Sequence, residues 1–125
     1  MVRFLTGPAL VLAALVPAIG VAADVKIVGQ SHATPQLKRD VLTVILGYAR
    51  GRHSCGTLTS AETAPLAKDY EPKSAMFRTS APGHVYERWV VDLCGTKRAF
   101  LVALWPSPKG GADYKVVEVP PGGES

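Results

Sequence analysis

The side chains able to do chemistry in this chain are few: three histidines (His32, His53 and His84) and two cysteines (Cys55 and Cys94). His53 stands two residues before Cys55. With free thiolates, His53, Cys55, Cys94 and His84 would make a soft nitrogen–sulfur ligand set for zinc or copper(I). Their spacing matches no compact ligand motif, and oxidising the cysteines removes half the set. A redox role is disfavoured, because active pairs of that kind sit in Cys-x-x-Cys and these two lie far apart. For nucleophilic catalysis, Ser54 and Ser60 lie near His53, with Asp92 or Glu87 available to orient an imidazole, but no Gly-x-Ser-x-Gly elbow is present. Glu87 and Asp92 could serve as an acid–base pair only if they faced each other. At odd separation on one strand they point to opposite faces. Gly110-Gly111 has no helix start or phosphate-binding lysine beside it and reads as turn chemistry. No catalytic residue and no cofactor are assigned; His53 and His84 remain as candidates for a metal or small-ligand site.

The cysteines take their meaning from the start of the chain. Met1-Val2-Arg3 is basic, Phe4 to Ile19 is almost wholly apolar, and Val21-Ala22-Ala23 is a small-residue cleavage site before Asp24. That layout predicts a signal peptide over residues 1–23 and an exported, periplasmic or secreted product. A membrane anchor is the competing reading, but the run falls short of the roughly 20 apolar residues a span needs, and Gly7, Pro8 and Pro17 interrupt it. No cysteine is placed to receive a lipid. In an oxidising compartment Cys55 and Cys94 are expected to pair. Closing a loop of about 40 residues stabilises a fold by roughly 4 kcal/mol in the chain-entropy model.

Beyond the leader the chain has one domain's length, read as residues 24–119 with a polar, disordered tail over 120–125. The formal charge of +4 falls by one when Arg3 is removed. Lys38-Arg39, Arg50 with Arg52, and Lys97-Arg98 are scattered pairs, not the concentrated basic face of a nucleic-acid binder. None of the later apolar runs is long enough to span a bilayer, so no stable membrane insertion is expected after cleavage.

The elements that must position these residues are set by local pattern. Asp24 to Gln30 is a short strand or an extended arm. Thr34 is an N-cap with Pro35 at the first helical position. Leu37, Val41, Val44, Ile45 and Tyr48 recur at helical spacing, and Gly51 is expected to close the helix in the left-handed conformation. Residues 57–80 lack periodicity; Ser60 to Ala64 predicts a helical turn, continued through Leu66, Ala67 and Tyr70. Val85 to Cys94 and Arg98 to Trp105 read as a hairpin reversed at Gly95-Thr96, with Val91 facing Phe100 and Trp89 facing Val102. Tyr114 to Val119 is a third strand. The sum is an α+β domain, one main helix packed on a three- to four-stranded antiparallel meander and stapled by one disulfide. The preferred helix-bearing face carries Trp89, Val91, Phe100 and Val102, although strict alternation then sets Cys94 on the other side.

That other face bears Arg88, Val90, Asp92, Leu101, Ala103 and Trp105, and is too apolar to be wholly wet. Either residues 57–80 cover it or a partner does. Trp105 and Leu101, framed by Arg88 and Lys115, make the candidate binding surface, since aromatics and arginines are enriched in hot spots. Gly83-His84, the run Tyr86 to Asp92, Cys94-Gly95, then Phe100, Val102, Pro106 and Gly110-Gly111-x-Asp113 resemble small exported proteobacterial proteins with a Glu-x-Trp-x-Val-x-x-Cys-Gly segment. The resemblance implies a bacterial periplasmic setting and brings no catalytic residues with it. The functional expectation is a non-enzymatic periplasmic domain that recognises a protein or envelope component, of inhibitor or immunity type in one version. The alternative is a small-ligand or metal-binding protein.

Overall fold

The computed structural model describes residues 25–121. The segment read as a signal peptide, and residues 122–125 of the tail, lie outside that range. The elements run β1 (Lys26–Gly29), α1 (Pro35–Arg52), β2 (Leu58–Pro65), β3 (Val85–Leu93), β4 (Thr96–Pro106) and β5 (Ala112–Glu118). The strands form one five-stranded sheet in the order β1-β2-β3-β4-β5. The domain is α+β with a single main helix, but the sheet is mixed where an antiparallel meander of three or four strands was expected. α1 carries the chain back across the sheet, so β2 runs parallel to β1, with Ile27 opposite Ala61.

α1 begins as its sequence dictates. Thr34 Oγ1 accepts the Leu37 N–H at 3.1 Å, and Pro35 follows where no N–H is needed. Its left-handed closing turn comes three residues later than the glycine signal suggests. Gly51 is helical, and the left-handed turn is made by Ser54 at φ 52°. The N–H groups of His53 and Cys55 both return to the Ala49 carbonyl. Val41, Leu42, Ile45, Leu46 and Ala49 are buried, whereas Val44 and Tyr48 of the expected stripe are exposed.

The helix covers the Trp89 face. Trp89, Val91, Leu93, Phe100, Val102 and Leu104 join the buried helix residues in one core. Trp89 opposes Phe100, however, and Val91 opposes Arg98. The register is two residues from the expected one because the turn is Cys94-Gly95, both at positive φ (55° and 84°), the backbone twist that two-residue hairpins favour. A shift of two preserves the faces. It also resolves the awkward position of Cys94, which belongs to the turn and not to the alternating strand. Its bond to Cys55, with Cα atoms 6.0 Å apart, pins the segment after α1 to the hairpin tip.

β2 replaces the helical turn expected over Ser60–Ala64. Its burial alternates at Ala61 and Thr63, but a register shift between Leu58 and Ser60 breaks the period, so the sequence shows no clean strand pattern. A second, smaller core lies on the far face, where Phe77, Tyr86, Leu101 and Ala103 pack with Leu66, Tyr70 and Trp105. The connection between β2 and β3 therefore covers that face. It is tied down by Leu66 N–H to Tyr86 O (2.9 Å) and by Thr79 N–H to the Tyr86 hydroxyl (3.0 Å).

Candidate functional site

Gly29 ends β1 at φ 98°, where any Cβ would collide with the Thr63 carbonyl, and Thr63 Oγ1 donates to the Gln30 carbonyl at 2.8 Å. This fixes the short passage into α1 and sets Ser31 and His32 over the start of β3. Beneath them lies Glu87, whose side chain is 0 % exposed. A buried carboxylate needs its lone pairs filled, and here they are. Oε1 accepts from the Ser31 hydroxyl at 2.7 Å and from Trp89 Nε1–H at 2.9 Å. Oε2 accepts the His32 backbone N–H at 2.6 Å. Ser31 Oγ in turn accepts the Ala33 N–H.

His32 Nδ1 lies 3.0 Å from the same Oε2. Facing an acceptor, Nδ1 is the donor nitrogen, so in the neutral ring the lone pair is on Nε2, turned away from Glu87 on a ring that is 55 % exposed. His84 reaches the same condition by another route. Its Nδ1 lies 2.9 Å from the Ala81 carbonyl, which can only accept, so Nε2 is again the lone-pair nitrogen. The ring stands edge-on to Tyr86 with centroids 5.3 Å apart. His32 and His84 line one groove of about 600 Å³ at the end of the sheet, floored by Pro65, Leu66, Val85 and Tyr86 with Lys68 at its rim. An imidazole whose far nitrogen is committed to a carboxylate or a carbonyl is oriented to receive a metal ion or a hydrogen-bond donor.

A second histidine–carboxylate pair sits elsewhere. Glu118, at the end of β5, accepts from Tyr48 OH at 2.7 Å and from His53 Nε2 at 2.8 Å through Oε1, while Arg98 lies 3.4 Å from Oε2. Burial alone would raise the Glu118 carboxyl. Hydrogen bonds from His53 and Tyr48, with the charges of His53 and Arg98, override it and hold the group below its ordinary value. The same bond, with burial second, raises the Tyr48 phenol.

The expected residues are thus distributed differently from the expectation. His53 and His84 share no neighbour: one contacts Tyr48 and Glu118, the other Ala81 and Tyr86. Cys55 and Cys94 are spent in the disulfide. Among the described residues no group of three or more His, Cys, Asp or Glu side chains could hold a metal ion. Glu87 and Asp92 do face apart; Asp92 accepts the Gly95 N–H at 2.9 Å. Leu101 is buried within the second core, Trp105 is half-buried against it, and Arg88 is exposed. Lys115 reaches the Met76 and Arg78 carbonyls. The residue overlooked was His32. Glu87 carried a signal: two positions before Trp89 on an inward-facing strand side, its carboxylate had to find donors.

No helix among the described residues is long and apolar enough to cross a membrane. Comparison of the chain with protein-family models, with curated proteins and with solved structures finds no match.

Proposed function

We propose that this chain is an exported, non-enzymatic periplasmic domain that binds a small ligand in the His32–His84 groove. The observation that supports it is the shared commitment of both Nδ1 atoms, His32 to Glu87 and His84 to Ala81. Both imidazoles offer Nε2 as an acceptor beside an apolar floor. Such a site takes a transition-metal ion or a compact molecule with N–H or O–H donors and an apolar body. The test is a titration of the disulfide-intact protein with Zn²⁺ and with donor-bearing fragments, followed through the imidazole ¹⁵N resonances. The Nε2 signals of His32 and His84 should move together while those of His53 stay still. Silence from both groove histidines toward every probe would refute the reading.

Recognition of a protein or envelope component, including an inhibitor or immunity role, is the second reading. Met76 favours it, being 90 % exposed on the connection that covers the Trp105 face. An envelope pull-down whose partner is lost with Met76→Ser and weakened by Trp105→Ala would support this use. A partner retained by both variants would remove that surface from consideration.

A further inference from the structure

Among the described residues β5 has a sheet neighbour on one side only, which leaves a seven-residue edge with free backbone donors and acceptors. Edges of this kind are templates for another strand unless they are short, charged or covered. The opposite edge, β1, has only four residues. Exposed apolar side chains are not scattered evenly either. Of the five large ones among the described residues, Val44, Tyr48, Met76 and Val117 lie on or beside β5, and Val28 lies elsewhere. Val44, Tyr48 and Val117 border a groove of about 200 Å³ between α1 and β5. Met76 and Val117 border a second, of about 510 Å³, on the other side of the strand. The two grooves share Val116 and Val117.

We infer that this edge pairs with the β5 edge of a second copy of the chain, antiparallel about a twofold axis at Tyr114. The charges of the strand select that register. In a twofold antiparallel pair one residue faces its own copy, and flanking residues face each other reciprocally. An axis at Asp113 or at Lys115 sets a like charge against itself. An axis at Val116 sets Lys115 against Val117. With Tyr114 on the axis, Asp113 faces the partner's Lys115, and the same pair recurs on the other side of the axis. Ala112 then faces Val116, and the turn at Lys109 to Gly111 of each copy extends over Val117 and Glu118 of the other. Asp113 and Lys115 lie on one face of β5, opposite Trp105 and Ala103 of β4; Lys115 Nζ, which reaches the Met76 and Arg78 carbonyls of its own chain at 3.5 and 3.3 Å, exchanges those long contacts for the partner's Asp113 carboxylate in the pair.

Sedimentation of the disulfide-intact protein from low micromolar to millimolar concentration tests this. The mass should rise from monomer toward dimer. Asp113→Lys and Lys115→Asp should each weaken association at least about tenfold, and the double exchange should restore it to within about threefold. Amide hydrogen exchange over the same concentrations reads the interface without any variant: β5 amides should slow as the dimer forms. A wild-type chain that stays monomeric at millimolar concentration overturns the inference. So does a dimer indifferent to both single reversals, one that the double exchange fails to restore, or one that leaves β5 exchange unchanged.

Discussion

Two glutamates in this molecule each hold a histidine, but with different kinds of donor. Glu87 is fully buried and faces two groups that can only donate, the His32 backbone N–H and the Trp89 indole. Glu118 is 14 % exposed, and its nearest partners, the Tyr48 hydroxyl and the His53 ring, can each donate or accept. The obligatory donors at Glu87 leave no alternative arrangement, so the carboxylate fixes one tautomer of His32 and directs Nε2 outward. The adaptable partners at Glu118 turn inward instead, and the result ties α1 to β5. One pair presents a nitrogen; the other fastens two elements together.

Replacing each carboxylate by its amide should separate the two most widely. In Glu87→Gln the amide NH₂ must face either the His32 N–H or the Trp89 N–H, because one obligatory donor meets each oxygen. A buried donor–donor clash with no solvent to relieve it should cost about 3 kcal/mol, read as a lower urea midpoint at unchanged slope. Glu118→Gln should cost under about 1 kcal/mol, since the Tyr48 hydroxyl can rotate and His53 can change tautomer. Equal losses would mean that donor type is not what distinguishes the pairs.

Much of the fold was legible because its signals are local. Thr34-Pro35 and the spacing of Val41 and Ile45 mark α1, and the alternation of Trp89, Val91 and Leu93 marks β3 and its buried face. The errors lie where the deciding contact is remote or the local pattern is interrupted. β2 carries a bulge that hides its period, and the choice between strand and extended arm for Asp24 to Gln30 is decided by a parallel partner more than 30 positions away. The turn needed a non-glycine residue, Cys94, at positive φ, which is uncommon enough to shift the expected register. The site was less legible still. His32 meets Glu87 across 55 positions of sequence, beyond the reach of any periodicity, whereas a carboxylate beside Trp89 on a buried strand face was visible as a demand for donors. In the same way Glu87, Trp89, Val91, Cys94 and Gly95, which carry the Glu-x-Trp-x-Val-x-x-Cys-Gly pattern, each have structural work: an acceptor and its indole donor, a core side chain, a disulfide and a left-handed turn.

The Glu118 pair also couples stability to pH. The Glu118 carboxyl is held below its ordinary value in the folded state, so its contribution to stability is complete above the unfolded carboxyl's value and disappears as pH falls through the folded one. Tyr48 is shifted upward through the same hydrogen bond. Its contribution is complete below the unfolded phenol's value and disappears as pH rises through the folded one. One bond thus bounds a stability window on both sides. Denaturant titrations from neutral to acid pH should show a smaller loss for Glu118→Gln than for the wild type, and Tyr48→Phe should flatten the alkaline limb. An acid limb unchanged by Glu118→Gln would place the acid sensitivity in other carboxylates.

The smallest stability effect should come from a histidine of the proposed ligand groove, His32. His32→Ala removes a half-exposed ring but keeps the backbone N–H, the Ser31 hydroxyl and the Trp89 indole on Glu87. The buried carboxylate therefore stays satisfied, and the cost should stay within about 0.5 kcal/mol. His53→Ala strips Glu118 of a 2.8 Å partner and Tyr48 of one of its two ring neighbours, and should cost about 1 kcal/mol. Binding in the groove should reverse this order, lost with His32→Ala and intact with His53→Ala. A residue that matters more to ligand than to fold is what a presented nitrogen requires; if His32→Ala instead unfolds the domain while sparing every groove ligand, its bond to Glu87 is a structural fastening like the one at Glu118.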